Sequence, residues 1–438
     1  MNPRPRKWLW PLMITALILG ACSSKESGTS QGGGTGDGGN GKSSAGPAVG
    51  ITDDTITVGY MQPDVEALAD AGLAEDFDDP ALAIEALVKD VNGRGGINGR
   101  KLKVNTYLFD VTKVPESLIN VCSQVAEDDP NFVAFAFTFF GDGLACLAGD
   151  KGVPVLTGSS LAGTVYEQAK GNAFLFNNTF EEHQRALVKG LKATGDLKGL
   201  KLGVVNRDEP GAPEALAAGL KPALKDAGLD LAESAVITGG VMGDPASISA
   251  AVQQFKDAGV TGVILLSNVF VSGNFMAEAE RQGYKPTYFA SDQSEVTSSL
   301  LLNFAPKSQL ASAKGVSWKR QGETVTGQKP SKADQRCVEI RNKVKPPLDK
   351  QGTPSYDGFM SLCNMFTTMV TALEKSGDDP TRDSFKSALE AMDRFDLGTG
   401  STGHFSKDDH TAPTAVRPVE FQLDCGCWVP TGDWIDAP

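Results

Sequence analysis

Residues 79–109 read DPALAIEALVKDVNGRGGINGRKLKVNTYLF. With the preceding Thr55-Ile-Thr-Val-Gly-Tyr-Met61 they spell a strand, a helix and a second strand. Asp79 can accept hydrogen bonds from the free N–H groups of a helix start, and Pro80 suits the first turn. Ile84, Leu87, Val88 and Val91 recur at i, i+3, i+4, i+7, which is one apolar stripe on a helix. Gly93, Gly95 and Gly96 end it, because helix C-termini favour glycine at positive φ. Asn98-Gly99 then turns the chain into the strand Lys101 to Phe109.

The same unit repeats outward from this stretch. A helix at 114–127 precedes an apolar strand at 132–137, and a short helix near 143–150 precedes a strand at 153–156. Phe174 to Phe176 reads as another strand. Thr179 with Glu182 has the spacing of a capping box, which opens a helix to about Lys192. Strands at 201–206, 232–237, 262–267 and 287–290 alternate with helices at 211–227, 246–258 and 271–283. Strands that are continuously apolar suit a sheet covered on both faces. Strand–helix–strand order implies parallel pairing with right-handed crossovers. So many strands predict an α/β protein of two layered sheets, with a (β/α)₈ barrel as the competing architecture. Helices are expected at 331–345, 355–375 and 380–392, followed by an irregular tail.

Composition narrows the function. The chain has 438 residues, with 40% hydrophobic and 22% charged, which excludes global disorder. Its formal charge of −13 argues against a nucleic-acid binder, which needs a basic face, and against attachment to anionic lipid by charge alone. Arg4, Arg6 and Lys7 precede an apolar run from Trp8 to Leu19 that is shorter than the roughly 20 residues a membrane span needs. Residues 1–21 are therefore expected to be a signal peptide. Leu19-Gly20-Ala21-Cys22 resembles the bacterial lipoprotein cleavage box, which implies lipidation at Cys22. Residues 22–50 are Gly- and Ser-rich, a flexible tether with an r.m.s. reach of roughly 30 Å.

Six further cysteines, an even number in an exported chain, suggest disulfides. Six allow fifteen pairings. The expected ones are Cys122 with Cys146, Cys337 with Cys363, and Cys425 with Cys427. A zinc site is the alternative, although no Cys-x-x-Cys pair exists and His183, His404 and His410 are the only histidines. No cofactor motif of the phosphate-loop or dinucleotide type is found.

The run Gly95-Gly96-Ile97-Asn98-Gly99-Arg100, with Asp110 beyond the next strand, resembles the branched-chain amino-acid (Leu/Ile/Val) binding protein family. Tyr356-Asp357-Gly358, opening a helix that ends near Ala372, and Gly403…Phe405…Asp409-His410, a late turn, resemble the same family. These are type I extracytoplasmic solute-binding proteins of ABC importers. The resemblance implies two Rossmann-like lobes joined by three crossovers. By analogy the first lobe is 51–176 plus 296–412, and the second is 177–295 plus 413–438. It also implies a monomeric, lipid-anchored, extracytoplasmic protein without enzymatic activity. Such a protein clamps a small molecule and hands it to a membrane permease.

In open α/β sheets ligands bind beyond the carboxyl ends of the strands. That rule selects the loops starting at Gln62, Thr138, Thr157, Arg207, Asn268 and Ser291. In the family, hydroxyls and N–H groups of the first lobe hold the ligand carboxylate, and a carboxylate of the second pairs with its ammonium. Here Thr138, Ser159 and Ser160 are the candidates for the former, supported by Gln62 and Thr157. Asp292 is the candidate for the latter, with Asp208 in reserve. Phe139, Phe140 and Phe270 are candidates to replace an aromatic lid. Two other functions compete: a sensor acting through a signalling partner, and a hydrolase in which Ser160, in Gly158-Ser-Ser160-Leu-Ala162, is the nucleophile.

Overall fold

The computed structural model describes residues 48–64, 78–293 and 296–437. The expected leader 1–21, Cys22 and nearly all of the tether 22–50 lie outside them.

The opening unit forms as its sequence dictates. Strand β1 (Thr55–Pro63) is followed by helix α1 (Pro80–Gly93) and strand β2 (Lys101–Phe109). Asp79 accepts from the backbone N–H of Ala81 and Leu82, and α1 buries Ile84, Leu87 and Val91. The Gly-Gly-Ile-Asn-Gly-Arg turn proves to be a lock. Asn98, at φ 47°, donates to the carbonyls of Glu374 and Gly377, and Arg100 donates to the carbonyls of Asp378 and Thr52. A Cβ on Gly96 would lie 2.0 Å from the Arg100 carbonyl oxygen, so that position tolerates only glycine.

Strands β3 (Ala134–Ala136), β4 (Val155–Thr157) and β5 (Ala173–Leu175) complete a first, wholly parallel sheet in the order β2-β1-β3-β4-β5. Alternate residues feed opposite faces. Val58, Tyr60 and Phe135 join one core, while Met61, Ala134 and Ala136 join another with Val121 and Leu147. Val121 lies on helix α2 (Glu116–Ser123).

The chain then enters helix α3 (Phe180–Thr194), whose capping box between Thr179 and Glu182 is complete. Strands β6 (Leu202–Arg207), β7 (Leu231–Ile237), β8 (Gly262–Leu265), β9 (Thr287–Ala290) and β10 (Lys314–Ser317) build a second sheet. Helices α4 (Pro245–Asp257) and α5 (Val269–Arg281) cover one of its faces. The expected irregular tail is instead regular. Strands β11 (Ala415–Gln422) and β12 (Cys427–Pro430) extend this sheet antiparallel, giving the order β12-β11-β10-β9-β8-β6-β7. Pro418, the charged Arg417 and Glu420 within β11 and the shortness of β12 hid that pattern from a reading based on apolar runs.

Between β10 and β11 lie helices α6 (Lys332–Arg341), α7 (Pro354–Lys375) and α8 (Arg382–Glu390). They return to the first sheet: Phe366 of α7 meets Phe135 edge-on, with ring centroids 5.7 Å apart. The backbone therefore passes between the sheets three times, near 176–179, 318–331 and 412–414. Strand β10 falls inside 296–412 yet pairs with β9 and β11 of the second sheet. The three expected disulfides form: Cys122–Cys146, Cys337–Cys363 and Cys425–Cys427. These thiols are thus not free to ligate zinc.

Candidate functional site

The ends of β3 and β4 are tied by hydroxyls. Thr157 is fully buried; its hydroxyl donates to the Phe139 carbonyl and accepts from the Ser159 N–H. Ser159 Oγ accepts from the Phe139 N–H at 3.0 Å and lies 2.9 Å from Thr138 Oγ1. Thr138 and Ser159 face a cavity of about 410 Å³. Phe139 does not: it is wholly buried against Phe109 in the first lobe. Phe140 packs against the same core.

Other sequence candidates also lie elsewhere. Gln62 is buried at the end of β1, with its Oε1 unpartnered, but does not line the cavity. Asp208 is exposed, and its N–H donates to the Ile237 carbonyl. Phe270 packs edge-on against Phe304, on the flank of the second lobe.

Asp292 is buried beside the second passage, and both its oxygens are taken. One accepts from the hydroxyls of Thr297 and Ser317, and the other accepts from the Trp318 N–H at 2.7 Å. Burial raises its pKa, opposed first by the charge of Lys319 and then by these hydrogen bonds. Its observed work is to pin the chain as it leaves β10.

The cavity draws walls from both halves. The elements packed on the first sheet contribute Phe137, Thr138, Ser159, Phe176, Asp357 and Met365. Those of the second sheet and its flank contribute Leu300, Phe421 and Trp428, and the passage between the sheets contributes Trp318, Lys319, Arg320 and Glu323. Most of this lining is apolar and aromatic, as a small-molecule site requires, with a few convergent polar groups.

One polar corner was missed by sequence reasoning. Arg320 is buried, and its guanidinium donates to Glu323 at 2.8 and 2.9 Å, to Asp334 at 2.6 Å and to the Gly398 carbonyl. Gln351 donates to Glu323 as well. Among the described residues none donates a side-chain hydrogen bond to Asp357, in the first turn of α7, and its Oδ1 is buried without a partner there. Burial pushes the Asp357 carboxyl up to about 7; Arg320 opposes this, while Glu323 and Asp334 add to it. The available signal was Tyr356-Asp357 opening a long apolar helix, where the family resemblance placed a helix start but no ligand group.

Ser160 lies 3.2 Å from His183 Nε2. That nitrogen is also 2.9 Å from Asn177 Oδ1. The Asn177 amide is oriented by donating to the Gly158 carbonyl and by accepting from the Asn178 N–H and Trp318 Nε1. Its oxygen can only accept, so His183 Nε2 carries the proton and cannot take one from Ser160. Burial also holds the His183 pKa down to about 3. The pair is not a nucleophile and base.

Two layered α/β halves, three chain passages and a cavity at their junction define a two-lobed solute-binding protein of type I. The chain belongs to the periplasmic binding protein family, whose model matches residues 55–425. A curated relative, Leu/Ile/Val-binding protein homolog 7 of Brucella abortus (strain 2308), is 25% identical over 242 residues, 53% of this chain and 57% of the relative. The match thus spans little more than half of that relative's length. Solved structures agree in fold. A branched-chain amino acid ABC transporter protein from Thermus thermophilus with bound valine aligns with TM-score 0.67 and 17% identity, covering 88% of this chain and 97% of that one. A solute binding protein of Rhodopseudomonas palustris BisB5, in complex with 3,4-dihydroxy benzoic acid, aligns with TM-score 0.65 and 16% identity, covering 88% and 98%. The family is extracytoplasmic, and among the described residues no helix is long and apolar enough to cross a membrane.

Proposed function

We propose that the protein captures a small molecule, an amino acid or a related amide or aromatic acid, between its lobes and delivers it to an ABC importer. The observation that carries this reading is the junction cavity, walled by residues of both sheets. A solute touching both walls binds the closed arrangement better and so shifts the population toward it. Thr138 and Ser159 are the ligand hydroxyls we retain from the candidate set, and Trp318 and Trp428 supply aromatic faces. Valine and 3,4-dihydroxy benzoic acid, bound by two relatives of like fold, mark the range of solutes such a cavity serves. The lobes are proposed to follow the sheets, with anchoring through lipid on Cys22 and the tether giving the body reach above the membrane.

Native mass spectrometry of the purified full-length chain, followed by identification of the released small molecule, tests the reading. A stoichiometric amino acid, amide or aromatic acid supports it. A chain that retains nothing and shifts with none of a panel of such solutes refutes it.

A further inference from the structure

We propose that Asp357, rather than Asp292, is the carboxylate that receives a cationic nitrogen of the bound solute, so that the cavity selects amines carried on an apolar body. The proposal rests on the solute-binding reading above and deepens it.

A buried ammonium needs an opposite charge and hydrogen-bond acceptors. Four carboxylates lie at or beside the cavity, and Asp334, which does not line it, accepts from Arg320 and from the Ser331 N–H through one oxygen. Asp292 spends both oxygens on Thr297, Ser317 and the Trp318 N–H. Glu323 spends both on Arg320 and Gln351. Asp357 accepts from no described side chain, yet one of its oxygens is sealed from solvent. A charged carboxylate left in that state is costly, and a cation held beside it in the cavity offsets the cost through its charge.

The surroundings favour a cation over a neutral donor. Arg320 already answers Glu323 and Asp334, so it does not supply Asp357 with a dedicated counter-charge. The groups facing Asp357 are Arg320, Glu323, Asp334 and the Tyr356 phenol, and the two carboxylates among them outnumber the guanidinium. The remaining walls combine rings and aliphatic chains, among them Phe137, Phe176, Trp318, Met365 and Trp428, with neutral polar groups such as Thr138 and Ser159 and one further cation, Lys319. Aromatic faces attract cations, and the apolar surface holds the body that carries the amine.

Calorimetric titration of the full-length protein with phenethylamine, phenethyl alcohol and 3-phenylpropanoate tests the proposal. At about pH 8 phenethylamine is expected to bind at least about tenfold more tightly than the alcohol, with the carboxylate weaker still. Between about pH 8 and pH 6 its affinity is expected to fall about tenfold, as the Asp357 carboxyl takes up its proton. Asp357→Asn is expected to lose the preference for the amine while unfolding at the same or a higher temperature than wild type, which separates a binding defect from misfolding. Equal binding of amine and alcohol, a preference for 3-phenylpropanoate, or an Asp357→Asn variant with undiminished amine binding overturns the proposal. So does an amine that fails to bind at all. If the alcohol or the carboxylate binds while the amine does not, solute binding stands and only the assignment of Asp357 falls.

Discussion

Asp292, buried, and Asp357, half-buried, show how two carboxylates are distinguished by what surrounds them. Three donors converge on Asp292, so its removal strands two hydroxyls and a backbone N–H. Asp292→Ala is expected to cost about 2–4 kcal/mol, read as a lower urea midpoint with an unchanged slope. Asp357 behaves in the opposite sense. Its folded pKa of about 7 lies above the unfolded value of 3.8, so the folded chain holds this proton more tightly. That contribution is full below about pH 4 and is lost as pH rises through about 7. Asp357→Asn is therefore expected to be more stable than wild type by about 1–2 kcal/mol at about pH 8, with the gap closing near pH 4. Urea titrations at both pH values measure it; a variant less stable at the higher pH contradicts the burial argument.

At the scale of elements, legibility followed apolar patterning. Helix α1 and strand β2 were readable because their caps, stripe and glycines agree. Strand β10 was not, because Lys314-Gly-Val-Ser317 is short and mixed, although it joins the parallel run to the antiparallel tail. Its setting is exacting. Gly190 of α3 crosses it so closely that an added Cβ would lie 2.3 Å from Val316 Cγ1. Gly190→Ala is expected to destabilise by about 1–3 kcal/mol through overpacking, measurable as a lowered thermal midpoint, despite alanine's better helix propensity. The cavity followed the same logic. Thr138 and Ser159 were found by the rule of strand ends, whereas Arg320, Glu323 and Trp428 come from a passage and from the unread tail. Long-range return of the chain, which no local window carries, brings them together. The disulfides Cys122–Cys146 and Cys337–Cys363 close loops of 24 and 26 residues in sequence separation. Reducing either is expected to cost about 3 kcal/mol. Unfolding with and without reductant, in variants lacking one pair at a time, tests that figure.

For the whole molecule, a ligand that bridges both walls is expected to draw the lobes together. Small-angle scattering with a tightly bound solute then shows a smaller radius of gyration, and an unchanged curve contradicts closure. Each disulfide joins cysteines on one side of the three passages: the first two within the parallel half and the third in the turn between β11 and β12. Oxidation outside the cytoplasm thus rivets one jaw internally, fixes only a local turn of the other and leaves the passages unwelded, so that hardening the protein against its surroundings does not stop it from biting.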